Sequence, residues 1–119
     1  MKTLNEIADA VHANARMKGF HPLDESNEVF LANQCNNMHA EITELWDAYR
    51  AGNFGGLCDK ADKMRDLGLV PLTCAEEELA DIIIRALDVS RHFGIDILMA
   101  ISSKHAYNLT RPHKHGKKN

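Results

Sequence analysis

The sequence predicts a single all-α domain with four main helices. Three observations carry this prediction. Apolar residues recur at i, i+3, i+4 and i+7 along most of the chain, capping boxes open helices at Thr3 and Thr73, and no stretch alternates apolar and polar residues as a strand would. At 119 residues, 45% hydrophobic and 26% charged, the chain has enough apolar matter for one core and too little length for two ordinary domains.

Thr3-x-x-Glu6 starts the first helix, where Leu4, Ile7, Ala8 and Val11 share a face; it should run to about Lys18 and stop at Gly19. The connection GFHPLDE, residues 19–25, turns around Pro22. Ser26 then caps a long second helix carrying Val29, Phe30, Cys35, Met38, Ile42, Leu45 and Tyr49, which ends at Gly52. Residues 52–72 form a long connection, and its CDKADKMRDLGL stretch can make one or two helical turns. Thr73-x-x-Glu76 opens the third helix, which Gly94 ends. Ile82, Ile83 and Ile84 cover more than one of its faces, so it is expected to be buried on several sides. The fourth helix spans about Ile95 to Leu109 and must yield at Pro112. So small a domain has a limited core, and a helix apolar nearly all round calls for a second subunit: a homo-oligomer is expected.

Charge is unevenly distributed. The net charge is −3, yet residues 1–96 hold all 17 acids against 9 Lys and Arg, while residues 97–119 hold five bases and no acid. The end of the chain reads either as a solvated basic tail, residues 112–119, or as a polyanion contact. No apolar run approaches the ~20 residues of a membrane span, and the N-terminus lacks the pattern of a signal peptide. A cytoplasmic protein is expected. Cys35, Cys58 and Cys74 form no C-x-x-C pair, which leaves them as ordinary buried or half-buried thiols. Met38 and Met99 read as packing residues.

The stretch TCAEEELADIII sets four carboxylates against three isoleucines. Glu76 reaches back to the cap, and Glu77 sits in the first turn where the helix dipole favours an anion. Glu78 and Asp81 lie deeper, three residues apart, and so share a face. The second helix repeats the device with Glu41 and Glu44, bordered by Leu45 and Trp46. If the two helices are antiparallel neighbours, four carboxylates converge on one small volume. Partly desolvated anions so grouped are unfavourable unless a hard divalent cation neutralises them, and all-oxygen ligands point to Mg²⁺, with Mn²⁺ as substitute, rather than zinc. The plainer reading is two exposed pairs with ordinary ion pairs; Arg85, four residues after Asp81, offers one.

A third group lies in KHAYNLTRPHKHGKK. Lys104, Asn108 and Arg111 share a helix face with Tyr107 beside them, and Lys114 follows Pro112. Lys and Arg suit phosphate, and Asn and Tyr add directed hydrogen bonds. Carboxylate pairs for a metal plus basic groups for phosphate describe a nucleotide-hydrolysing site.

The ordered set E-x-x-E, then E-x-x-D, then K-x-x-Y-N-x-x-R-P-x-x-H-G-K resembles the MazG-like all-α nucleoside triphosphate pyrophosphohydrolases, from about His39 to Lys118. The resemblance implies a helical bundle completed in a dimer or tetramer. It also implies Mg²⁺ held by Glu41, Glu44, Glu78 and Asp81, with Glu44 or Glu41 near the attacking water as base. Lys104, Tyr107, Asn108 and Arg111 would hold phosphate or sugar, with Lys114 a further contact. The implied reaction is water attack at the α-phosphorus of a (deoxy)nucleoside triphosphate, releasing monophosphate and pyrophosphate. Trp46, beside the acidic pair, is either a core residue or a platform for the base. Many relatives carry E-E-x-x-E on the second helix where this chain has Ala40 before Glu41, so Glu77 or Asp47 is a substitute ligand to consider.

Two other readings compete. A di-iron bundle needs Glu-x-x-His, and no Glu stands three residues before any His here. The serious rival is a non-enzymatic oligomeric helical module whose basic tail binds nucleotide or nucleic acid, with no dependence on divalent metal. A relative that binds nucleotides without turnover is a third case.

Overall fold

The computed structural model describes residues 1–112, which form five helices: α1 (Leu4–Met17), α2 (Asn27–Arg50), α3 (Ala61–Asp66), α4 (Cys74–His92) and α5 (Ile97–Thr110). Four are the expected main helices, and the short α3 is the turn foreseen in the long connection. Among the described residues there is no strand, only an isolated antiparallel bridge between Leu57 and Thr73.

The helix ends are made as the sequence asks. Both capping boxes close: the Glu6 N–H donates to Thr3 Oγ1 (3.2 Å) and the Thr3 N–H to Glu6 Oε1 (3.0 Å), with the same exchange at Thr73 and Glu76 (3.1 and 2.9 Å). Ser26 Oγ accepts from the Val29 N–H at 3.1 Å. At α4 the other free N–H groups are taken up by the preceding connection: the Cys74 N–H donates to the Gly56 carbonyl (2.8 Å) and the Ala75 N–H to that of Phe54 (3.1 Å). Gly94 takes φ 68° so that its own N–H reaches Arg91 O (3.2 Å) and the Ile95 N–H reaches Ser90 O (2.8 Å), which closes the last turn of α4. The start of α5 differs from expectation. Asp96 is its N-cap, accepting from the Met99 N–H at 3.0 Å, so the helix begins at Ile97 rather than near Ile95. It ends at Arg111, held extended (ψ 151°) by the following Pro112.

α4 is the central element, with α1 and α2 both packed against it. Both run antiparallel to it: Asn27 near the start of α2 meets His92 at the end of α4 (2.9 Å), while Glu41 meets Arg85. On the other flank Asp9 pairs with Arg91 and His12 with Asp88. The core is small and made of Ala8, Phe30, Cys58, Ala61, Ala75 and Leu87. A buried polar brace adjoins it. Asp88 receives His12 Nδ1 and His21 Nε2, each at 2.7 Å, and thereby ties α1 and the turn after it to α4. α5 docks by its first turn onto α1: Asn5 Nδ2 donates to Asp96 Oδ1 (2.8 Å) and Asn5 Oδ1 accepts from the Leu98 N–H (3.1 Å).

Burial corrects several expectations. Within one chain α4 is not buried on several sides, because Ile83 is 53% and Ile84 43% exposed; two flanking helices cannot cover a helix apolar all round. α5 has no buried residue, and Met99 lies open rather than packed. Cys35 is exposed, since it sits on the face of α2 turned from α4, while Cys58 is buried and Cys74 half-buried. No helix among the described residues is long and apolar enough to cross a membrane.

Candidate functional site

The antiparallel packing of α2 on α4 brings the two acidic pairs together. Carboxylate oxygens of Glu41, Glu44 and Glu78 all lie within 4.8 Å of one another. Asp81 stands one turn further along α4, close enough to feel the charge of Glu41. Arg85 does not take up the i, i+4 pair with Asp81 that its spacing offers. It crosses to α2 and donates to Glu41 Oε1 from both Nε (3.3 Å) and Nη2 (3.2 Å).

The charges in this cluster are unequal. Burial, reinforced by hydrogen bonding to Glu41 and Glu44 and by their negative charge, pushes the Glu78 carboxyl up to about 8. Burial acts on Glu41 in the same direction, but hydrogen bonds from Glu78 and Arg85 outweigh it and leave that carboxyl below its usual range. Asp81 is raised, by burial first and then by Glu41 and Glu77. Glu78 Oε2 is buried without a hydrogen-bond partner. A carboxylate oxygen set among carboxylates needs a proton or a cation, and the oxygen-only donor set suits a hard divalent ion.

The alternative ligands suggested by Ala40 are engaged elsewhere. Glu77 accepts from Lys60 Nζ at 2.8 Å, and Asp47 pairs with Arg50 at the surface (2.9 Å). Trp46 is neither core nor lining of the neighbouring groove: it is 57% exposed and stacks on Tyr49 with ring centroids 5.7 Å apart.

The basic group stands apart from the carboxylates. Lys104 and Asn108 line a shallow hollow on α5 with Ala100, Ile101 and His105. Tyr107 lies between two cations, with Lys104 Nζ 5.1 Å and Arg111 Cζ 5.5 Å from its ring centroid. Asn108 Oδ1 is buried without a hydrogen-bond partner. Lys114 and the rest of the basic end from His113 onward lie outside the described residues.

Next to the carboxylates runs a groove of about 610 Å³ between α1, α2 and α4. Asp81 and Arg85 form its charged end beside the cluster, Val11, Phe20 and Ile84 give it apolar wall, and its polar lining comes from Asn14, Asn33, Gln34 and Asn37 together with Glu25 and Asp88. The sequence reading passed over these amides, although a signal was present. Asn33, Asn37, Glu41 and Glu44 follow at four-, four- and three-residue steps and make one stripe along α2. The His12–Asp88–His21 brace carried no such signal, because its members are 67 and 76 residues apart.

Set against known protein families, curated proteins and solved structures, the chain matches none. The site is therefore read from its own chemistry.

One consequence of that chemistry is testable without substrate. Glu78 and Asp81 are raised in the fold, so the protonated form is favoured by folding. Their stabilising contribution is complete below the ordinary carboxylate range and is lost as pH rises, for Glu78 through about 8. Glu41 is lowered and acts oppositely, its contribution being lost only in acid. In EDTA the melting temperature should fall between pH 6 and 9. Mg²⁺ at ~100 times its Kd should restore about 2.7 kcal/mol and flatten that fall, with proton release on binding. A melting temperature equally flat with and without Mg²⁺ would count against a cation site.

Proposed function

We propose that this chain is a Mg²⁺-dependent nucleoside triphosphate pyrophosphohydrolase, akin to the MazG-like enzymes that its motif order resembles. One observation carries the reading: the convergence of Glu41, Glu44 and Glu78, with an unpartnered buried oxygen on Glu78. In this proposal Glu41, Glu44 and Glu78, with Asp81 beside them, hold Mg²⁺, and Mn²⁺ can replace it. When bound, such an ion neutralises phosphate charge and acidifies its water.

The chain's own groups do the rest. Glu44, the exposed member of the cluster, takes a proton from the water that attacks the α-phosphorus. The new bond is water oxygen to phosphorus; the bond that breaks joins the α-phosphorus to its bridging oxygen, and pyrophosphate leaves with that oxygen. Arg85 holds Glu41 ionised and oriented from the side. Lys104, Tyr107, Asn108 and Arg111 hold the phosphates or sugar, and Lys114 joins them. Since these groups stand apart from the carboxylates of their own chain, a second copy supplies them in a homodimer or homotetramer. The open apolar side chains of α4 and α5 support that assembly: Ile83, Leu98, Met99, Ile101 and Leu109 are each between 43% and 75% exposed.

The test is incubation of the purified chain with canonical and modified nucleoside triphosphates, in Mg²⁺ and in EDTA, with pyrophosphate and monophosphate measured. Pyrophosphate release is expected in Mg²⁺ alone, and Glu41→Gln and Asp81→Asn should each lower it by at least about 100-fold. No turnover across the panel would sink the enzyme reading and leave the non-enzymatic module, recognisable by a salt-sensitive interaction through the basic end.

A further inference from the structure

The groove beside the carboxylates has features that metal and phosphate binding do not use. Gln34 is 6% exposed, and its Oε1 is buried without a hydrogen-bond partner, although the residue lines the groove. A buried carboxamide oxygen left unpaired is unfavourable, and in this wall it stands beside Asn33 and Asn37 on the same helix. A run of amides is an uncommon way to line a helix–helix cleft, because each amide must find both donors and acceptors. Across the groove, Phe20 and Ile84 present apolar surface.

We infer that this groove is the nucleobase site, in which Gln34, with Asn33 and Asn37, reads a base edge that presents an N–H donor beside an acceptor. Carboxamides make that paired contact because their oxygen accepts while their nitrogen donates. Gln34 Oε1 takes the base N–H, the amide nitrogens meet the adjoining acceptor, and Phe20 and Ile84 cover the ring faces. The groove volume of about 610 Å³ lies within the range of ordinary ligand pockets. The register along α2 also suits a nucleotide. Gln34 precedes Glu41 by seven residues, about 10 Å along the helix axis, a separation that a nucleotide bridges between its base edge and its 5′-phosphates. Asp81 and Arg85 mark the point where the base end gives way to the phosphate end.

This inference deepens the hydrolase reading and rests on it for the phosphate end, so its test is a binding measurement independent of turnover. Nucleoside 5′-monophosphates are titrated in Mg²⁺ into ¹⁵N-labelled full-length protein, and the side-chain amide signals of Asn33, Gln34 and Asn37 are followed. Ribose 5-phosphate and purine riboside 5′-monophosphate, which has no N–H on its base, serve as controls. At least one ordinary monophosphate should move these signals and bind at least about tenfold tighter than either control. Gln34→Leu should remove that advantage. Because Gln34 is buried, Asn33→Ala, a change at an exposed position, provides a second variant that leaves the core alone and should weaken the same nucleotide. Amide signals that no nucleotide moves, or binding equal to that of ribose 5-phosphate, would overturn the inference. Pyrophosphate release whose base preference both variants leave unchanged would overturn it while the hydrolase reading stands. Monophosphate binding at these amides with no turnover of any triphosphate would uphold the groove and defeat the hydrolase.

Discussion

Glu78→Gln should abolish Mg²⁺-dependent pyrophosphate release, by at least about 100-fold, and yet stabilise the metal-free protein at alkaline pH. The two effects share one cause. Glu78 sits half-buried among Glu41 and Glu44, and burial together with those neighbours pushes its carboxyl up to about 8. Gln has the same shape, carries no charge and can donate an N–H to Glu41, so it mimics the protonated acid at every pH. Below about pH 6 the variant and the parent should therefore melt together in EDTA. Above about pH 8 the parent must carry the Glu78 charge beside Glu41 and the variant need not, so the melting curves separate in favour of Gln. Mg²⁺ should then raise the parent's melting temperature more than the variant's. A merely structural Glu78 would show destabilisation at all pH values and an unchanged response to Mg²⁺, and that result would defeat the metal-site reading.

The largest loss of stability is expected at Phe30. It is the one large side chain that is fully buried among the described residues, 1% exposed, and it stacks on His92 with ring centroids 3.8 Å apart while meeting the edge of His21 at 4.6 Å. Phe30 thus fastens the start of α2 to the end of α4 and to the turn after α1. Phe30→Ala removes those contacts and opens a cavity that rigid helix backbones cannot fill, at a cost of about 3–5 kcal/mol. Small domains hold only about 5–15 kcal/mol in total, so the urea midpoint should drop by about a fifth or more. Phe30→Leu retains most of the volume and should cost far less, under about 1.5 kcal/mol. A midpoint unchanged by Phe30→Ala would mean that the core lies elsewhere, for instance in contacts between copies.

The helices were legible because their signals are local. A capping box acts over three residues, as at Thr3–Glu6 and Thr73–Glu76, and a glycine that ends a helix acts over one turn. The start of α5 was misplaced for the same kind of reason: Asp96, not Ile95, carries the oxygen that caps the helix, and the cap outweighs the apolar pattern. The acidic pairs were legible as pairs, since three-residue spacing puts two side chains on one face whatever the fold.

What the sequence by itself determined is therefore the set of helices, their ends and the faces they offer, including the carboxylates at 41, 44, 78 and 81. Only the tertiary structure decided which faces meet. The antiparallel register of α2 on α4 places Glu78 against Glu41 and Glu44, and gives Arg85 to Glu41 rather than to Asp81. The same register aligns the amides of α2 with the groove and leaves the basic group of α5 to one side. It also sets the His12–Asp88–His21 brace, whose partners no local rule connects. Periodicity fixes direction around one helix axis, but the pairing of residues from two helices depends on their relative slide and rotation. Packing of Phe30, Leu87 and their neighbours sets those two quantities, and no spacing within one helix encodes them.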